Sequence, residues 1–118
     1  MAETNIFFVK EFLKEFKRLV SQNKYRIVDR DKTMETIAYL GVDYEFLKET
    51  LLKLTPKDYC SGPEEDRDCK GEYLWIFGKT VDKEEIYIKL KIIEDEEYGK
   101  CISFHIAEKK LKYPFKEN

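Results

Sequence analysis

Glu85-Ile86-Tyr87-Ile88-Lys89-Leu90-Lys91-Ile92 and Cys101-Ile102-Ser103-Phe104-His105-Ile106 change side-chain character at every second residue, the period of a β-strand with one buried face. Ile86, Ile88, Leu90 and Ile92 fall on one face of such a sheet, and Ile102, Phe104 and Ile106 are expected to join them. The opposite face then collects Tyr87, Lys89, Lys91, Ser103 and His105, the last being the only histidine of the chain. A phenol, two ammonium groups and an imidazole on one surface have the chemistry to hold a phosphodiester and move protons on it without a metal.

Tyr73 to Lys79 reads as a preceding strand. Short turns at Val81-Asp82-Lys83 and at Glu96 to Gly99 make the three strands an antiparallel meander. Tyr73, Trp75 and Phe77 share one parity. They either fill the core or, with Leu74 and Ile76 buried instead, form a base-stacking platform, and the value of a tryptophan as a core residue favours the first. Residues 60–72, rich in glycine, proline and charge, are expected to be one irregular surface loop. The tail Leu111-Lys112-Tyr113-Pro114-Phe115 alternates and suits a sheet edge, where Pro114 is tolerated.

The first half is helical in pattern. Ile6, Val9, Phe12, Leu13, Phe16, Leu19 and Val20 recur at helical spacing within residues 4–21, with charge between them. Phe7 and Phe8 widen this apolar face, either for a partner or for deeper burial, and burial is the favoured expectation. Tyr25-Arg26-Ile27-Val28 is too short to classify. Asp31 is placed as the cap of a helix over about 32–40 that presents Met34, Ile37, Ala38 and Leu40, with Gly41 at its C-terminal glycine position. Asp43 opens a third helix whose inner side is Phe46, Leu47, Thr50, Leu51 and Leu54, and Thr55-Pro56 caps a short further turn. Asp43, Tyr44 and Glu45 would meet phosphate with the wrong sign, so the pair of helices is a hairpin and not a DNA-reading helix-turn-helix.

Helices followed by a meander predict an α+β fold in a single domain, 1–118, with two or three N-terminal helices packed on one face of a C-terminal antiparallel sheet. Hydrophobic residues are 42% and charged residues 39%, the balance of a globular protein with a densely charged surface. No apolar run approaches the roughly 20 residues of a membrane span and no signal-peptide pattern opens the chain, so a cytoplasmic location is expected. A net charge of −2 gives no global attraction to nucleic acid, yet the acid is concentrated in Glu64-Glu65-Asp66 with Asp68 and in Glu94 to Glu97. Lys79, Lys89 and Lys91 fall inside strands, which permits a local basic face. Cys60, Cys69 and Cys101 form no CxxC pair and support neither a disulfide framework nor a zinc site. No cofactor or metal is expected. In an oxidising setting a single Cys60–Cys69 bridge across the loop is the remaining pairing.

Leu54-Thr55-Pro56-Lys57-Asp58-Tyr59, Trp75, Ile86-Tyr87-Ile88-Lys89 and Ile102-Ser103-Phe104, in this order, resemble the MqsR family of toxins from bacterial type II toxin-antitoxin systems. Gly62-Pro63-Glu64-Glu65-Asp66-Arg67-Asp68, Trp75 to Lys79, Cys101 to His105 and Tyr113-Pro114-Phe115 resemble a divergent branch of it. The resemblance spans roughly residues 12–116. It implies a RelE-like fold with a twisted sheet, a metal-independent endoribonuclease acting on messenger RNA, and a cognate antitoxin as partner. Of the two lysines, glutamine and tyrosine proposed as catalytic in the best-known members, the tyrosine falls on Tyr87 and one lysine on His105. The other lysine meets Ser61 or Cys60, and the glutamine meets Ile76.

His105, Tyr87 and Lys89 are therefore the candidate catalytic residues: an imidazole able to act as base or acid, a phenol that donates, and a cation. Lys91, Lys79 and Arg67 are the candidates for holding phosphate. Beside this stands the plainer reading, in which a lone strand histidine is structural and alternating lysine and tyrosine solvate an outer face. A non-catalytic protein- or RNA-binding module on the same fold is the competing function, favoured by the acidic balance and by the two substituted family positions.

Overall fold

The computed structural model describes residues 4–116. Its helices are α1 (Ile6–Ser21), α2 (Asp31–Leu40) and α3 (Tyr44–Leu52), and its strands are β1 (Tyr25–Ile27), β2 (Tyr59–Glu65), β3 (Tyr73–Val81), β4 (Glu84–Ile93) and β5 (Tyr98–Ile106). The strands form one sheet in the order β1-β5-β4-β3-β2. Four of them are antiparallel, and the short β1, left unclassified by its length, runs parallel to β5. The expected α+β layout holds.

The helix ends obey local chemistry. Asn5 caps α1 and Asp43 caps α3, each carboxamide or carboxylate oxygen accepting from the backbone N–H three residues on. Gly41 closes α2 in the left-handed region at φ +69°, as its position required. Asp31 sits inside the first turn and Arg30 takes the cap position without a side-chain hydrogen bond. Thr55 and Asp58 form a capping box around the 3₁₀ turn Pro56–Asp58.

The core lies between one face of the sheet and α1 and α3. Phe12, Phe16, Leu19, Leu47, Leu51 and Leu54 meet Phe77, Ile86, Ile88 and Leu90, all buried. The aromatics of β3 take the core side: the Phe12 ring stacks on Trp75 at 4.6 Å and lies parallel to Phe77 at 6.1 Å. Tyr73 ends that row exposed.

Four expectations are corrected. Ile102 does not join the core. β5 carries one extra residue at this point, since Lys89 pairs with Ser103 while Leu90 pairs with Cys101, and this β-bulge hands the buried position to Cys101. Phe7 and Phe8 are not buried but 60% and 54% exposed. Residues 60–72 are not one loop: Tyr59–Glu65 is the edge strand β2, where Gly62 and Pro63 are tolerated because pairing is interrupted on both sides of Ser61. The irregular connection is only 66–72. Finally, the tail does not add a strand. It crosses the sheet by side-chain contacts, with Phe115 stacked on Tyr59 at 5.3 Å.

α2 docks differently from its apolar pattern. Met34 and Ala38 are exposed, and Thr33 and Thr36 are the buried residues. Their hydroxyl oxygens accept from the backbone N–H of Phe104 and Ile106, each at 3.2 Å. Beyond the end of β1 these edge donors of β5 would otherwise face no strand, so two threonines on a helix complete the sheet edge.

Leu51→Ala removes a fully buried side chain from the layer that joins α3 to the sheet and should lower stability by about 2 to 5 kcal/mol in denaturant unfolding. A loss under about 1 kcal/mol would show that α3 is peripheral to the core.

Candidate functional site

The buried parity of β4 turns Tyr87, Lys89 and Lys91 to the face away from the helices. The bulge of β5 lies upstream of Ser103, so from there on its parity matches and His105 lies directly across from Tyr87. Two rows of paired positions result. Ser61, Ile76, Lys89 and Ser103 form one across four strands, and Gly78, Tyr87 and His105 form the next. All of these but Gly78 line a cleft of about 830 Å³.

Within it the His105 and Tyr87 rings stack with centroids 5.0 Å apart and planes 21° apart. Lys89 Nζ lies 5.9 Å from the Tyr87 ring centroid, in cation–π range. His105 Nδ1 is 2.9 Å from the Ile106 carbonyl oxygen. A carbonyl only accepts, so Nδ1 carries the hydrogen and Nε2 of the neutral ring is the nitrogen left to exchange protons. Burial, reinforced by the nearby Glu64 and Cys60, pushes the Tyr87 phenol above its ordinary pKa against the opposing charge of Arg30. Tyr87 is thus a hydrogen-bond donor at neutral pH and not a phenolate base. Cys60, also lining the cleft, is pushed up to about 12 by burial and remains a thiol.

The rim was not found from the strand pattern. Arg30 and Lys32 reach it from the start of α2, and Lys109, Lys110 and Lys112 from the segment after β5, facing the carboxylates Asp31, Glu64 and Glu108. Lys32 is paired with Glu108. The run Lys109-Lys110-Leu111-Lys112 was visible in the sequence; its proximity to the site was not. The tail is seated by Glu85, which accepts from the Leu111 N–H at 3.0 Å and from the Tyr113 hydroxyl at 2.8 Å. Gly78 makes room for it, since a Cβ there would lie 2.4 Å from the Tyr113 hydroxyl and 2.7 Å from a Leu111 methyl.

The three candidate phosphate ligands do not gather here. Lys79 shares the parity of Phe77, so it projects on the helix side, where it pairs with Asp58 at 3.2 Å. Arg67 is exposed on the 66–72 loop and does not line the cleft. Lys91 is buried against the same loop, with Nζ 2.8 Å from Asp66 and 2.6 Å from Glu72. Burial opposes its charge, but the two carboxylates outweigh that and raise its pKa above the lysine norm. Strand parity placed Lys91 on the correct face; the loop folded over it. Asp66, Cys69 and Glu72 are a cluster of metal-ligating type, and the Lys91 ammonium already serves its two carboxylates.

The four positions singled out by the family resemblance, Cys60 or Ser61, Ile76, Tyr87 and His105, all line this one cleft. A family model described as "Motility quorum-sensing regulator, toxin of MqsA" matches residues 10–106. The chain belongs to the MqsR toxin family. No curated protein matches its sequence. As an MqsR-family toxin it has, by family, a cognate antitoxin as its partner. Among the described residues no helix is long and apolar enough to cross a membrane.

The Lys91 cage ties the 66–72 loop to the back of the site. Lys91→Ala should cost about 3 kcal/mol, the lower end for breaking a buried ion pair, because Asp66 and Glu72 keep some contact with water. The hydrogen bond from Lys91, then that from the Asp68 N–H, holds the Asp66 carboxyl below the usual aspartate value. Its folded pKa therefore lies below its unfolded one, and its stabilisation is complete above about pH 4 and fades as pH falls through the folded value. Asp66→Asn should flatten the loss of stability below about pH 4 in urea titrations; an acid limb identical to the parent's would remove Asp66 as a contributor.

Proposed function

We propose that this MqsR-family toxin is a metal-independent endoribonuclease that cleaves messenger RNA in the cytoplasm by attack of a ribose 2′-hydroxyl on the adjacent phosphorus. The observation that carries the reading is the His105–Tyr87 stack with Lys89 on the floor of a cleft rimmed by five further cations. Such a rim offsets the chain's overall acidity locally and suits a polyanion.

The reaction needs a base for the 2′-hydroxyl, positive charge for the crowded phosphorane, and an acid for the departing 5′-oxygen. His105 Nε2 takes the 2′-hydroxyl proton, the new 2′-oxygen to phosphorus bond forms, and the bond to the 5′-oxygen breaks as that oxygen takes the proton back from His105, leaving a 2′,3′-cyclic phosphate and a 5′-hydroxyl. The raised pKa of Tyr87 suits it to donate a hydrogen bond to a phosphate oxygen or to the leaving group. Lys89 supplies charge beside it. Arg30, Lys109, Lys110 and Lys112 hold flanking phosphates, a role first assigned to Lys91, Lys79 and Arg67. The uncapped start of α2 at the rim adds its dipole. Ile76 and Ser61 or Cys60, where the best-known members are thought to use glutamine and lysine, make the histidine more central here than in them.

Purified protein should cleave RNA in the presence of EDTA and leave 2′,3′-cyclic phosphate ends. His105→Ala should slow single-turnover cleavage by about 10² to 10⁴ with the fold intact. Tyr87→Phe should do less, and Lys89→Ala should weaken RNA binding and reduce its salt slope by roughly one. Unchanged cleavage by the alanine variant would remove His105 from the mechanism. A parent protein, free of antitoxin, that neither binds nor cleaves RNA would favour the non-catalytic interaction module instead.

A further inference from the structure

A second, smaller hollow of about 270 Å³ adjoins the cleft and shares His105 with it. The ion pair Lys32–Glu108 stands between the two, as both residues line both. The other side of the hollow is α2, which contributes Glu35, Thr36 and Tyr39. Tyr39 is 69% exposed, the most exposed large hydrophobic side chain among the described residues, although helix α2 has a partly buried face for it to join. Its hydroxyl is 3.3 Å from Glu84 Oε2 on β4, and the ring itself lines the hollow. Glu35 and Tyr39 are four residues apart on the helix and so lie side by side.

The two hollows differ in charge. The cleft is rimmed by cations in excess, whereas the small hollow holds Glu35 and Glu108 against Lys32 alone among charged side chains, His105 aside. Glu108 is committed to Lys32, and among the described residues the Glu35 carboxylate has no ion-pair partner of its own. Phosphate is favoured in the first and repelled from the second. A flat aromatic ring with an acceptor-only carboxylate beside it is suited instead to a nucleobase that stacks and offers N–H donors.

We propose that Tyr39 and Glu35 form a base-recognition subsite for the nucleotide next to the scissile phosphate, with the base stacked on Tyr39 and an exocyclic amino group donating to Glu35. This rests on the ribonuclease reading of the cleft. Because His105 lies in both hollows, the base held there belongs to a nucleotide adjoining the reacting bond. Selection would run in favour of guanine, adenine or cytosine, which carry amino groups, and against uracil, which carries none.

The test uses fluorescein-labelled hexanucleotides that are 2′-deoxy throughout, so that binding is read without cleavage. The parent protein should bind oligomers containing deoxyguanosine, deoxyadenosine or deoxycytidine more tightly than one made of deoxyuridine alone. Tyr39→Ala should lose about ten-fold or more on the amino-bearing oligomers, as removal of one aromatic from a base stack does, and Tyr39→Phe should bind as the parent does. Glu35→Gln should lose the base preference while keeping its affinity for the deoxyuridine oligomer. His105→Ala, measured on the same oligomers and on cleavable RNA, separates the two readings. If parent cleavage depends on His105 but Tyr39→Ala binds every oligomer as tightly as the parent, the subsite is overturned and the ribonuclease reading stands. If the parent neither binds the oligomers nor cleaves RNA, both fall.

Discussion

Ile86, Ile88 and Leu90 are fully buried between the sheet and helices α1 and α3, and the side chains of a strand alternate, so this burial leaves Tyr87, Lys89 and Lys91 only the opposite face. Slipping β4 by one residue would bury two ammonium groups among phenylalanines and leucines, at a cost no small domain sustains. The site is for this reason as rigidly placed as the core. β5 follows β4 through the antiparallel ladder, and His105 is set against Tyr87 by the pairing of Ile88 with Phe104 on one side and Ile86 with Ile106 on the other.

Around this rigid floor the walls come from elements with different tethers. α2 is anchored by the hydroxyls of Thr33 and Thr36 on the edge donors of β5, so the same contacts that complete the sheet bring Arg30 and Lys32 to the rim. The segment after β5 is anchored by Glu85 and by the space over Gly78. The 66–72 loop, which does not line the cleft, is anchored by the Lys91 cage. Each of these hydrogen bonds and ion pairs is a directional polar contact at the margin of the hydrophobic layer, and each fixes where charged side chains stand around the floor.

The same geometry takes Lys91 and Lys79 out of the set of candidate phosphate ligands. A lysine with two carboxylates within 2.8 Å has its charge satisfied internally and little left for a ligand, whereas among the described residues Lys89, Lys109, Lys110 and Lys112 have none so close. Net charge therefore says less about ligand binding here than the pairing of individual ammonium groups. The acid runs that make the chain acidic overall are largely spent on loops, with Glu94 to Glu97 in the turn between β4 and β5.

Alternation in the sequence by itself determined which face of β4 is core and which carries the site. Helical spacing determined α1 and α3, and the caps at Asp43, Gly41 and Thr55 were legible because they are local hydrogen-bond chemistry between neighbours in the chain. Tyr87, Lys89 and His105 were legible for the same reason, since a bulge upstream of Ser103 leaves their parity untouched. The bulge itself, the edge strand hidden in residues 59–65 and the exposure of Phe7 and Phe8 depend on what each segment meets across space. So does the fate of each cation: the sequence shows that Lys79, Lys91, Arg30 and Lys110 are charged, but only tertiary structure brings Asp58 to the first, Asp66 and Glu72 to the second, and an open cleft to the others. These charge pairs join residues 19 to 25 positions apart, a separation over which local periodicity carries no information.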